Sequence, residues 1–382
     1  MKKIVIASDS FKGSLSSREI AAIVAEATTE VFPECETVCL EMADGGEGTA
    51  DTLCRALGGE MVRCQVQGPL GDPVPAEYSI VYANSGNRTA IVEMSKASGL
   101  PLIPTGLRNP MLTTTFGTGE LILDALGRGC RHFLIGIGGS ATNDGGTGML
   151  AALGWRFLDS DGKELPPVGA SLEKIASVDS SGKNPALNGC TFITACDVDN
   201  PFCGPDGAAF VFGPQKGAGP EEVRLLDKGL ESFASVIQES TGTNVKEIPG
   251  AGAAGGLGGA LMAFLGSRLT PGAEMVLDVI GFDSLAEGAD LVITGEGKMD
   301  GQTLKGKAPL CVLKHASKLG IPTIAIAGMI SDPTLLKDLG YKDIICINPP
   351  GLAIDEAMNP GTARRNLHDT AVRLMTGIKE HN

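Results

Sequence analysis

Four acidic residues stand just past short apolar runs that read as strands: Asp9 after IVIAS, Asp44 after CLEMA, Asp197 after FITAC and Glu296 after VITG. In open α/β sheets ligands bind outside the carboxyl ends of the strands. A carboxylate at such a point is placed to accept a proton or hold a cation. Any one of the four could instead cap the helix that follows it, but four together in glycine-rich surroundings favour a site. Residues 136–148, GIGGSATNDGGTG, lie between a strand and a helix expected from about Gly145. Gly138, Gly139, Gly145 and Gly146, with Ser140, Thr142 and Asn143, would let backbone N–H groups approach an oxyanion, and the helix N-terminus adds a favourable dipole. Phosphate is the expected ligand and a tight structural turn the alternative. Asp144 and Thr142 could touch a metal or cap the helix.

An anionic ligand would need local positive charge, because 31 basic residues against 45 acidic ones leave a net charge of −14. That balance argues against general affinity for nucleic acid or anionic membranes. Lys12, Lys216, Lys298, Lys305 and Lys307 sit in or beside glycine loops, and Arg108 precedes TTTFGTGE. Single lysines are usually solvated surface residues. Lys12, three residues past Asp9, is the best placed, and the glycines around Lys216 in GPQKGA allow close approach of a ligand. Other chemistries are poorly supported. The ten cysteines form no CxxC pair and the four histidines are scattered, so no zinc spacing exists and reduced thiols in a cytoplasm are expected. GAGAAG at 250–255 fits G-x-G-x-x-G, but the preceding residues 245–249 make a poor strand containing Pro249, which favours helix packing or phosphate approach over NAD. GQTLKGKA at 301–308 has Walker A spacing except that Ala308 replaces Ser or Thr, and it follows Asp300 rather than a strand. No G-x-S-x-G nucleophile elbow occurs.

These loops need a scaffold. The chain has 382 residues, enough for two ordinary domains. Its 53 glycines are about twice the usual share but follow no G-X-Y period. Lys3 to Ala7 reads as a strand, and Ile20, Ile23, Val24, Ala27 and Val31 recur at helical spacing behind a Ser16/Glu19 capping box. Thr37 to Met42 and a helix near Glu47 to Leu57 repeat the pattern. Leu291 to Thr294, Thr323 to Ala327 and Asp343 to Ile347 read as further strands, and a helix from about Thr362 to Lys379 closes the chain. Alternating strand and helix implies a parallel sheet with helices on its faces. A hairpin at Ala76 to Met94 and strands at Arg131 to Ile137 and Thr191 to Cys196 suggest a second α/β domain. The expected organisation is residues 1–76 plus 286–382 as a discontinuous domain, with 77–285 inserted. Residues 248–267 carry no charge and could span a bilayer by length; with Pro249 and many glycines they read as a buried loop entering a helix.

Taken in order, the loops resemble the bacterial glycerate kinase family of type I. The matching segments are DSFKGSLSS at 9–17, ADGGEGT at 43–49, GIGGSATNDGGTG at 136–148, ACDVDNPFCG at 195–204, FGPQKGA at 212–218, GAGAAGG at 250–256 and VITGEGKMDGQTLKGKAP at 292–309. The resemblance implies ATP-dependent phosphorylation of D-glycerate with magnesium, typically giving 2-phosphoglycerate. It further implies two unlike α/β domains, one flavodoxin-like and one restriction-endonuclease-like, with a cleft between them. On phosphoryl-transfer logic, Asp44 and Asp197 are leading candidates for general base or metal ligand, followed by Asp9, Glu47, Glu296 and Asp300. Lys12 would meet phosphate or the substrate carboxylate, the glycine loop would cradle the nucleotide, and Lys216, Glu296, Asp300 and Arg108 would bind substrate. Asp197 and Glu47 are the expected metal ligands. Small molecules are the expected partners, and an oligomer is compatible with the sequence. Two positions depart from the family pattern: Phe116, where some relatives carry a polar or basic residue, and Lys298, where Arg is frequent.

Overall fold

The structure, a computed structural model, describes residues 1–82, 87–301, 306–331, 336 and 338–381. The chain divides into two units, Met1–Asp44 with Pro271–Asn382, and Gly45–Thr270. Both are mixtures of helix and sheet.

The first unit contains strands β1 (Lys3–Ser8), β2 (Glu36–Glu41), β11 (Leu291–Met299), β12 (Thr323–Ile330) and β13 (Asp343–Cys346), all parallel in the order β13-β12-β11-β1-β2. Counted within this unit alone, the order is that of a doubly wound sheet whose direction reverses between its first and third strands, here β1 and β11. Ile4 to Ala7 are fully buried, as a central strand covered on both faces requires. The helix Ser17–Val31 buries Ile20, Ile23, Val24 and Ala27 along one face, and its start carries the expected box: Glu19 N–H donates to Ser16 Oγ while Ser16 N–H donates to the Glu19 carboxylate. The closing helix, Pro360–Glu380, buries Leu367, Ala371 and Met375 in the same core. Burial of Leu367 contributes about 2 kcal/mol.

The second unit is built on a mixed sheet of β3 (Glu60–Gln67), β4 (Pro73–Tyr82), β5 (Arg88–Glu93), β6 (His132–Gly136), β9 (Thr191–Ala195) and β10 (Arg268–Thr270), ordered β10-β9-β6-β5-β4-β3. β3, β4 and β5 pair antiparallel, whereas β5, β6, β9 and β10 run parallel. A small antiparallel pair, β7 (Arg156–Leu158) and β8 (Ser177–Asp179), lies apart from it. The hairpin loop expected at 84–87 falls mostly outside the described residues. Residues 45–76, expected with the first domain, belong to the second unit because β3 gives its ladder to β4 and Ser79 Oγ donates to the Ala50 carbonyl at 3.0 Å. Residues 271–285, expected in the inserted domain, belong to the first, where the helix Gly272–Ile280 packs on the helix Ala308–Lys318. Such partners are chosen by long-range pairing, which local composition does not reveal.

The uncharged stretch 248–267 forms the helix Ala253–Leu265, opened by a left-handed turn at Ala254 (φ 54°), Gly255 (φ 70°) and Gly256 (φ 93°). Among the described residues no helix is long and apolar enough to cross a membrane.

Candidate active site

At the carboxyl edge of the first unit's sheet, Ser8 is the register partner of both Gly295 and Glu41. The chain therefore delivers Asp9, Glu296 and the segment ending at Asp44 to one edge, at the point where the sheet reverses direction. Asp9 is fixed there: its N–H donates to the Gly295 carbonyl at 2.9 Å, and its carboxylate accepts from Ser10 N–H at 2.7 Å. Burial, followed by the charges of Asp44 and Glu296, pushes the Asp9 carboxyl up to about 6, against the pull of the Ser10 N–H and Lys12. Lys12 Nζ lies 3.2 Å from Asp44 Oδ2, and the attraction of Asp44 raises the lysine above its ordinary value. Glu296, almost wholly buried, has its Oε2 3.3 Å from Lys307 Nζ. Asp300 pairs with Lys298 at 3.0 Å. Lys305 lies outside the described residues. Thus three acids and two lysines, drawn from the loops after β1 and β2 and from β11 with the segment behind it, share one edge.

The glycine loop of the second unit divides into an open part and a closed part. Gly138 and Gly139 are exposed at the end of β6, whereas Ser140 to Gly148 are buried. Asp144, fully buried, accepts from Thr115 N–H and Thr115 Oγ1 at 2.7 Å each and from the N–H groups of Gly146 and Gly148 at 3.1 Å each. Gly145 N–H donates to the Gly255 carbonyl at 3.0 Å. The Gly145, Gly146 and Gly148 amides are therefore engaged by protein acceptors, while the buried Thr142 Oγ1 and the Asn143 side-chain amide have no hydrogen-bond partner among the described residues. Asp144 ties the loop together from within. Burial pushes its carboxyl up, opposed by those same donors. Lys216, 2% exposed, donates to the Thr142 carbonyl at 2.6 Å, and burial pushes its amine down to about 7. That bond ties the GPQKGA segment to the glycine loop. Arg108 directs its Nε to the Ile103 carbonyl at 3.5 Å.

The sheet of this unit has its own carboxyl edge, where Glu93, Gly136 and Ala195 stand in one register row. From it emerge Ser95 and Lys96, then Gly138 and Gly139, and the exposed Asp197. Gly136 permits the ADGGEGT loop to cross the end of β6, since a Cβ there would come within 2.6 Å of the Gly45 carbonyl oxygen. Exposed Glu47 lines a cavity together with Ser95, Lys96, Gly138 and Gly139. Asp197 and Glu47 therefore belong to the second unit, while Asp9, Lys12, Asp44, Glu296 and Asp300 belong to the first.

Sequence reasoning passed over Glu93, which is buried at the end of β5, accepts from Ala50 N–H at 2.7 Å and is pushed upward by burial. It also missed Lys96. The strand-end rule applied to VEMSK would have found both. His315, with Nδ1 2.6 Å from Asp283 and Nε2 3.2 Å from Glu274, carries no signal in sequence because its partners lie 32 and 41 residues away. The segment 250–256 enters no dinucleotide fold: no strand precedes it, and Ala251 to Gly256 are buried, with Gly252 against the Pro201 backbone and Gly255 against the Thr142–Asn143 backbone.

A family model described as the glycerate kinase family matches residues 4–379. A glycerate kinase of Halalkalibacterium halodurans is 46% identical over 100% of this chain and 99% of its own length. A glycerate 2-kinase of Escherichia coli K12 is 46% identical over 86% of each chain. A crystal structure from Salmonella typhimurium LT2, assigned as glycerate kinase 2, superimposes with a TM-score of 0.88 at 41% identity, covering 100% of this chain and 99% of that one.

Proposed function

The chain belongs to the glycerate kinase family, and from that premise we propose that it transfers the γ-phosphoryl group of ATP to the 2-hydroxyl of D-glycerate, releasing ADP and 2-phosphoglycerate. The observation that carries the reading is the edge where Asp9, Asp44 and Glu296 meet Lys12 and Lys307. Phosphoryl transfer asks a protein chiefly to align two anions, neutralise charge and receive one proton. Asp9 is the proton acceptor in this reading: a carboxyl held near 6 is ionised at neutral pH yet still basic enough to take a hydroxyl proton. Lys12, anchored on Asp44 but largely exposed, reaches for the substrate carboxylate or the transferring phosphoryl group.

Magnesium suits this donor set. Like charges crowding a half-buried carboxyl are relieved by a cation, and oxygen-only ligands match a hard divalent ion. Asp44 and Glu296 are the residues we assign to hold it, in place of Asp197 and Glu47. When bound, the ion would supply positive charge against the phosphate oxygens. The strand order of the first unit supports a flavodoxin-like description of it, and a restriction-endonuclease-like core is the corresponding proposal for the second.

Glycerate-dependent ADP release tests the activity, with enolase alone as the coupling enzyme. Immediate phosphoenolpyruvate is expected. A requirement for added mutase would move the product to the 3-phosphate, and no ADP release with glycerate would sink the proposal.

A further inference from the structure

The second unit contains a cavity of about 660 Å3, within the range of roughly 300–1,000 Å3 that small-molecule sites occupy. A three-carbon hydroxy acid would leave most of it empty, so of the two proposed substrates only the nucleotide fits its scale. Its lining includes the exposed Gly138 and Gly139, the latter at φ +72°. Ala76, Pro101 and Leu102 supply apolar lining. In the same lining, Lys96 Nζ lies 3.4 Å from Glu77 Oε1, with both side chains 34% exposed. Glu47 and Arg63 complete the charged lining, so two acids are matched by two bases and an anion meets no net repulsion.

We propose that this cavity seats the nucleoside of ATP, with the base against Ala76, Pro101 and Leu102, the ribose hydroxyls within reach of the Lys96–Glu77 pair, and the phosphates leading out over Gly138 and Gly139. The inference rests on the kinase reading and adds to it the location of the nucleotide. It assigns that role to the two exposed glycines of the loop and to Lys96, and removes it from the buried remainder.

Leu102→Trp and Pro101→Trp fill the cavity from its rim, where a bulky side chain is least able to prevent folding. Circular dichroism and thermal melting verify the fold of each. The KM for ATP and the Kd for the non-hydrolysable analogue AMP-PNP should rise tenfold or more, with the KM for glycerate changed less than twofold. In the wild type, 8-azido-ATP should label peptides within residues 60–102. Folded variants that keep both nucleotide constants within twofold, or a label placed outside the second unit, would overturn the assignment while leaving glycerate phosphorylation intact. If the wild type fails to phosphorylate glycerate but loses AMP-PNP when the cavity is filled, the pocket stands and the kinase reading falls. Absence of AMP-PNP binding to the wild type overturns both.

Discussion

Asp9 shows at the scale of one side chain how reactivity is set against stability. Its ordinary carboxyl value is 3.8 and its value in the fold is about 6. Below the lower figure both folded and unfolded chains hold the proton. Between the two the unfolded chain releases it while the folded chain keeps it, so stability falls as pH rises through this window and levels off above about 6. The full cost is about 3 kcal/mol. Asp9→Asn should therefore melt above the wild type at pH 7.5, with the difference shrinking toward pH 4, and should lose about a hundredfold or more in kcat. Melting curves across pH with parallel rate measurements check both halves. Lys12 makes the opposite case. Its pair with Asp44 is exposed, at 77% and 42%, and such pairs contribute about 1 kcal/mol or less. Lys12→Ala should leave the urea midpoint almost unmoved while kcat/KM falls at least tenfold; equal losses in both would make the residue structural.

Among the elements, the glycine loop behind β6 depends most on one buried group. Asp144 satisfies four donors from Thr115, Gly146 and Gly148, and removing a buried, fully bonded carboxylate strands them all. Asp144→Ala should cost about 3–5 kcal/mol in urea unfolding, whereas a change below about 1 kcal/mol would mean that the loop is held by other contacts. The same element shows what a sequence displays. Its glycines announce close backbone approach and Asp9 announces a strand-end site, because spacing along the chain records both, whereas Glu296, expected past the end of its strand, stands inside β11 opposite Ala327 because that strand runs on to Met299. Which amides remain open does not appear in spacing: Gly145, Gly146 and Gly148 look as available as Gly138 until Asp144 and the Gly255 carbonyl are seen to consume them. Lys216 reads as a ligand-facing lysine for the same reason, since its burial comes from distant packing. Strands β1, β2 and β11 to β13 stand out as β-branched runs, while β10, three residues long, carries too little pattern to be recognised.

For the molecule as a whole, the decisive fact is that one unit is continuous in sequence and the other is not. Gly45–Thr270 contains every strand of its sheet and a core running from Val62 to Leu261. Expressed by itself, this segment should unfold cooperatively in urea with a circular dichroism spectrum of mixed helix and strand. A broad, non-cooperative transition would show that it needs the flanking segments to fold.

The pairing of Ile4 with Leu291 in the first unit has a further consequence for biosynthesis. A ribosome releases β1 and β2 early, but the strand that completes the ladder on the other side of β1 emerges only after the whole second unit has been made. At ordinary elongation rates that interval is on the order of tens of seconds. Throughout it, the apolar run Ile4 to Ala7 has one unpaired edge exposed on the nascent chain. The continuous unit can complete its fold in the meantime, while the N-terminal strand–helix–strand unit, with β1 and β2 parallel, waits for β11 to cover its open edge.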